Sequence, residues 1–152
     1  MSTRPFPTLR TETVVGAPPE RVWDVLADFE GWDGWNPTLF GADGPPRAGA
    51  EVRMTLRMGR LKVPMRQQVR IVDPPRQLTW RSRQMVPASL FDVLRSFLLE
   101  PVGEDQTRLV QTETATGLLA RPVMAVIGRS VRRGYDDLAE ALARRLRPGA
   151  GA

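Results

Sequence analysis

The stretch Arg121–Leu146, RPVMAVIGRSVRRGYDDLAEALARRL, decides the fold. Met124, Ile127, Val131, Tyr135, Leu138, Leu142 and Leu146 recur at spacings of three and four, which puts them on one face of an α-helix. Pro122 is tolerated in the first turn. About 25 residues at 1.5 Å each give a rod of roughly 37 Å. Its charged residues lie opposite the apolar stripe, and Arg132–Asp136, Arg133–Asp137 and Glu140–Arg144 stand at the i,i+4 spacing of ion pairs. A helix of this kind needs an apolar surface to lie on.

The preceding chain supplies one. Glu51–Met58 alternates cleanly, with Val52, Met54, Leu56 and Met58 on one side and charged or polar residues on the other, as in a half-buried antiparallel strand. Gly59-Arg60 reads as a hairpin turn. Leu61–Val72 follows with Val63, Met65, Gln67, Val69 and Ile71 in phase, and Gln77–Arg83 with Leu78, Trp80 and Ser82. After a break at Met85–Pro87, Ser89–Pro101 aligns Phe91, Val93, Arg95, Phe97 and Leu99, and Thr107–Thr116 aligns Leu109, Gln111, Glu113 and Ala115. Thr8–Val15, rich in Thr and Val, is a further strand. Pro18-Pro19-Glu20 opens a short helix whose apolar face is Val22, Trp23, Val25, Leu26 and Phe29. Glu30–Pro37 breaks regularity around Trp32 and Trp35, which either plug one end of the core or wall a pocket mouth. Gly41–Gly49 reads as a turn-rich connection. Strands joined by tight turns make a meander. A long helix laid over a curved sheet need not fill its concavity, so a cavity is expected between them.

Composition narrows the chemistry. The 152 residues fit one domain, 41% hydrophobic and 26% charged, with no internal repeat or interdomain linker. There is no cysteine and no histidine, which excludes disulfides, Cys/His zinc sites and a Ser-His-Asp triad. No cofactor and no metal is expected. Met1–Thr13 has no apolar core of a secretory signal, and no run reaches a membrane span, so a cytoplasmic location is expected. The net charge is +5, and 21 of the 22 basic residues are Arg, but they are dispersed and partly answered by carboxylates, so no nucleic-acid partner is expected.

Four segments carry a family resemblance. Ala17–Phe29, APPERVWDVLADF, looks like the opening of the SRPBCC or START-like superfamily, which includes polyketide cyclase/dehydrase-like, lipid-transfer and Bet v 1-like proteins. Trp35-Asn36-Pro37, Val72–Trp80 and Phe97–Pro101 with Thr107-Arg108-Leu109 resemble three further segments of that group, in order. The resemblance implies an α+β helix-grip: a seven-stranded curved antiparallel sheet around a long C-terminal helix, with two short helices after the first strand. It implies a deep apolar cavity within a single ligand-binding domain over 1–147. Pro148–Ala152 reads from its residues as a flexible tail over 148–152, and the chain is expected to be a monomer or homodimer. Related members often carry His where this chain has Arg95, and an Arg there stays charged and cannot act as a neutral base.

The inner faces name the candidate site. Trp35, Met54, Met65, Gln67, Trp80, Phe91, Phe97, Ile127 and Val131 are expected to line the ligand space, with a polar set at Arg95, Gln111, Glu113 and Tyr135. Met54, Met58, Met65 and Met124 would make an adaptable lining. Arg95 either pairs with Glu113, turns outward after a bulge, or meets an anionic ligand group. Gln67 and Gln111 either bond a ligand carbonyl or satisfy each other. Gly134 marks either a close approach to the sheet or room for a ligand. Three functions fit: a carrier of a small hydrophobic molecule (a lipid, polyketide or aromatic metabolite), a metal-free cyclase/dehydratase-like enzyme with Arg95, Glu113 and Tyr135 as catalytic candidates, or a ligand-dependent regulatory module.

Overall fold

The computed structural model describes residues 6–83 and 86–147. The expected tail at 148–152, and Met85 in the expected break, lie outside these residues. Seven strands form one antiparallel, curved sheet: β1 (Thr8–Val15), β2 (Leu39–Asp43), β3 (Glu51–Met58), β4 (Leu61–Asp73), β5 (Gln77–Arg83), β6 (Asp92–Gly103) and β7 (Gln106–Thr116), in the order β1-β7-β6-β5-β4-β3-β2. β2 through β7 are a meander. β1 pairs with β7 at one edge, so the chain must cross to the other edge before β2 begins. Helix α1 (Pro19–Leu26) and a 3-10 turn (Phe29–Gly34) make that crossing. Helix α2 (Ala120–Arg145) ends the fold, opening one residue before the expected Arg121.

The crossing segment also closes one end of the core. Val22, Trp23, Leu26, Phe29 and Trp32 are buried. The Trp32 indole N–H donates to the Leu26 carbonyl at 3.0 Å, so its ring is buried without an unmet donor. Phe29 meets Trp32 edge-on at 4.7 Å between ring centroids, and Trp80 lies 6.0 Å from Trp32. Leu138 and Leu142 from the second half of α2, with Leu146 at its C-cap, complete this cluster. Large rings in contact bury more apolar surface than any other residues here, so this end carries much of the stability.

Alternation placed six strands, and β2 is the seventh that the periodicity did not show. Its five residues, LFGAD, contain a glycine with φ of 63°, and its pairing with β3 slips between Phe40 and Asp43. An interrupted strand of this length has no readable period. Asn36 fixes its entry: the side-chain Oδ1 accepts from Thr38 N, Thr38 Oγ1 and Leu39 N at 3.0–3.1 Å. Ile71 is a second departure. A bulge between Val69 and Ile71 flips the phase, so Ile71 is 41% exposed and Val72 packs inward instead. β6 starts at Asp92 rather than Ser89. The turn into α2 needs Gly117, whose φ is 102° and where a Cβ would sit 2.5 Å from the Leu90 carbonyl oxygen. No helix among the described residues is long and apolar enough to cross a membrane.

Candidate functional site

Where the first half of α2 passes over β3–β7, the sheet turns a polar group inward. Arg95 on β6 faces Trp80 across β5 and Glu113 across β7. It is 6% exposed and in phase with Val93 and Phe97, so the expected inward orientation holds and the bulge that would turn it outward is absent. Its guanidinium carbon lies 4.1 Å from the Tyr135 ring centroid, 4.8 Å from Phe97 and 5.7 Å from Trp80, so the cation is packed among three π faces.

The expected Arg95–Glu113 ion pair is not formed. Arg95 Nη2 donates diagonally to Gln111 Oε1 at 3.0 Å, while Glu113 Oε2 accepts the Tyr135 hydroxyl at 2.7 Å. Gln111 in turn donates through Nε2 to the Tyr135 backbone carbonyl at 3.0 Å, clamping sheet to helix. Gln67 and Gln111 do not satisfy each other: Gln67 Oε1 takes the Ser82 hydroxyl at 2.5 Å. The diagonal wins because cross-strand neighbours two residues apart are within reach of a long side chain, and Tyr135 occupies the carboxylate.

These contacts leave donors unmet. Gln111 is the single hydrogen-bond acceptor that the described residues offer Arg95, against five N–H groups on the guanidinium. Arg95 Nε and its cross-strand neighbour's indole nitrogen, Trp80 Nε1, are buried with no partner. Burial pushes the Tyr135 phenol well above the ordinary tyrosine range. The Arg95 charge pulls it back, and the Glu113 charge and hydrogen bond push it up further. Tyr135 therefore stays protonated, as a donor to Glu113.

Between this group and α2 lies a cavity of about 40 Å³, room for roughly three waters. It is small beside the deep cavity that the resemblance implies, because Trp80, Arg95 and Tyr135 occupy the concavity themselves. Seven of the thirteen expected lining residues border it: Met65, Gln67, Trp80, Arg95, Glu113, Val131 and Tyr135. The others stand elsewhere. Met54 is sealed in the core, and Trp35 packs half-buried against it. Phe97 and Gln111 lie behind Arg95. Phe91 and Ile127 pack against a second small cluster of Val93, Ala115, Ala120 and Met124.

The cavity also borders Thr38, Leu39, Leu56, Arg57, Met58, Ser82, Ser130 and Gly134. Met58 is one of the four methionines expected in the lining, and Leu56 and Ser82 extend the stripes of Met54 and Trp80, so following those stripes to the strand ends would find them. Thr38 and Leu39 come with the unread β2, and Arg57 sits on the outward phase of β3, where alternation points away. At Gly134 a Cβ would meet Thr38 Cγ2 at 3.5 Å, an ordinary contact, so its smallness preserves space rather than relieving a clash.

On α2 itself only one of the three expected ion pairs forms, Arg144–Glu140 at 3.5 Å. Arg132 and Arg133 have no carboxylate within 4 Å among the described residues, since exposed pairs gain little and long side chains stay solvated.

Comparisons with known proteins agree with this architecture. Among solved structures, the Zhui aromatase/cyclase from Streptomyces sp. R1128 superposes with a TM-score of 0.73 at 19% identity, over 97% of this chain and 99% of that one. A START superfamily protein from Mycobacterium smegmatis gives 0.74 at 19% identity, over 93% and 97%. The di-domain ARO/CYC BexL of the BE-7585A biosynthetic pathway gives 0.76 at 13% identity, with this chain spanning about half of its length (93% and 48%). At such identities the likeness is one of fold. No curated protein matches the sequence. The family model described as polyketide cyclase/dehydrase and lipid transport matches residues 7–147, nearly the whole chain, and the chain belongs to that family.

Proposed function

We propose that the chain binds a small, mostly apolar molecule between the first half of α2 and the concave face of β3–β7. The observation that carries this reading is the cavity itself. It lies at the junction of sheet and helix, walled by Leu39, Leu56, Met58, Met65 and Val131 and floored by the buried polar group around Arg95. At about 40 Å³ it admits no drug-sized molecule without movement of its walls. Met58 and Met65 are half-buried and unbranched, and Val131 lies on the half of α2 that is not sealed, so these are the walls that give way. Nile red, a neutral apolar dye, tests the reading: one blue-shifted site per chain is expected. Gly134→Leu, which pushes a side chain toward Thr38, is expected to abolish it. A folded wild-type protein that leaves the dye in water contradicts the proposal.

A second reading, a cyclase/dehydratase-like enzyme, is favoured by one contact. The Tyr135 hydroxyl and the Glu113 carboxylate are 2.7 Å apart on the cavity wall, so a proton can pass between a bound carbonyl compound and the pair. Glu113 would accept it, Tyr135 would donate, and Arg95 would hold developing negative charge on oxygen. Glu113→Gln is expected to abolish turnover of a cyclising poly-β-ketone while leaving its binding intact. Unchanged turnover removes Glu113 as base.

A further inference from the structure

We infer that the molecule the cavity accepts is a monoanion, an apolar body carrying one carboxylate-like group that docks on Arg95. The inference rests on the cavity being a ligand site and names the class of ligand.

The buried polar groups of this protein mostly satisfy one another. Gln67 takes Ser82, and Thr107 takes the Ala17 carbonyl at 2.7 Å, while among the described residues Thr11 Oγ1, Asn36 Nδ2, Trp80 Nε1 and Arg95 Nε are buried without a partner, of which only Trp80 and Arg95 belong to the cavity wall. Arg95 does not follow that rule. It is 94% buried by its 6% exposure, yet makes one hydrogen bond, to a neutral amide. A guanidinium this deeply buried, with its Nε donor unmet, is costly unless an acceptor arrives. The group beside it repeats the pattern, since Trp80 is fully buried and its indole N–H also lacks a partner. Both side chains border the cavity, and both are donors.

Charge points the same way. The inward-facing charged side chains at the cavity are Arg95 and Glu113, since Arg57 lies on the outward phase of β3 with its guanidinium over Phe40. Arg95 has no carboxylate within 4 Å among the described residues, while Glu113 is engaged by Tyr135. The Arg95 charge thus lacks a hydrogen-bonded counter-ion, and a single anionic group supplies one. Arg presents two parallel N–H groups to a carboxylate, which a neutral carbonyl cannot match.

Matched pairs of probes test this by calorimetry: 2-naphthoate against 2-naphthamide, and decanoate against decanamide. The carboxylates are expected to bind wild-type protein about tenfold or more tightly than the amides, as a charge-assisted bond implies. Arg95→Gln should bring each pair to about parity by weakening the carboxylates. Arg57→Gln, an exposed position on the outward face of β3, serves as the control and should keep the gap. If urea melts show Arg95→Gln unfolded, the wild-type ratio decides. Amides that bind wild type as tightly as carboxylates overturn the inference and leave the cavity reading standing. A folded Arg95→Gln that keeps the full preference also overturns it. Binding of neither series by folded protein overturns the cavity reading and this inference with it.

Discussion

The two halves of α2 are one helix with two environments. From Leu138 onward its inner residues Leu138, Ala139 and Leu142, and Leu146 at its C-cap, sink into the same cluster as Leu26, Phe29, Trp32 and Trp80. Before Tyr135, Ala120 and Met124 are buried in a small satellite cluster, while Ile127 and Val131, nearer the cavity, are only half-buried. The apolar stripe is continuous, so the helix does not cause the difference. The surface beneath does: aromatic rings rise to meet the second half, while the first half faces Arg95, Gln111 and Glu113 on the sheet. A sealed end that holds the fold leaves the other end free to open, and the proposed binding falls on different turns of the element from those that carry stability.

Substitutions can break this contrast, and the largest effect belongs to the sealed end. Leu142→Ala removes a fully buried side chain and should cost about 2–5 kcal/mol, whereas Val131→Ala should cost about 1 kcal/mol or less, read as urea midpoints at constant m. Similar losses at both positions would dissolve the distinction.

Tyr135 sits at the boundary. Tyr135→Phe should cost about 1 kcal/mol at neutral pH by removing the bond to Glu113. Its pH dependence is more telling. The folded state raises the phenol pKa, so the unfolded chain releases a proton that the native protein keeps. The resulting stability is complete below about pH 10 and is lost as pH rises beyond it. Wild type should therefore lose stability above about pH 10 more steeply than Tyr135→Phe. The chain has one tyrosine, so tyrosinate absorbance near 295 nm follows this residue alone and should stay silent until the protein unfolds.

Smaller effects sharpen the picture. Gly134→Ala should stabilise by up to about 1 kcal/mol, because alanine suits a helix and its Cβ meets Thr38 at an ordinary distance. A net loss would mean that Gly134 is under close contact rather than beside space. Glu140→Gln should change stability by no more than about 0.5 kcal/mol, since its ion pair with Arg144 is exposed.

The elements that were legible in the sequence are those with an unbroken period. α2 and strands β3 to β7 show their inner faces directly, because burial on one side imposes a repeat of 3.6 or 2. β2 and Ile71 were hidden where backbone irregularity, a glycine or a bulge, resets the phase. The site was legible in part for a different reason. Periodicity says which residues face inward, so it found Arg95, Gln111, Glu113 and Tyr135 together. It does not say how far opposing side chains reach into the space between them. The exchange of partners, Arg95 to Gln111 and Tyr135 to Glu113, depends on side-chain length and helix height above the sheet. Met54 and Met65 share a phase, yet one is core and the other cavity wall, because only the second lies under the open half of α2.

That last pair supplies the most direct test of a ligand space under the first half of α2. With methyl-labelled methionine, the ε-methyl resonances are followed as Nile red is added. The Met58 and Met65 signals should shift to saturation at one dye per chain, while Met54 in the sealed core and Met124 in the satellite cluster stay in place. Shifts at Met54 or Met124 without shifts at Met58 and Met65, or no shift at any of the four, would contradict the account.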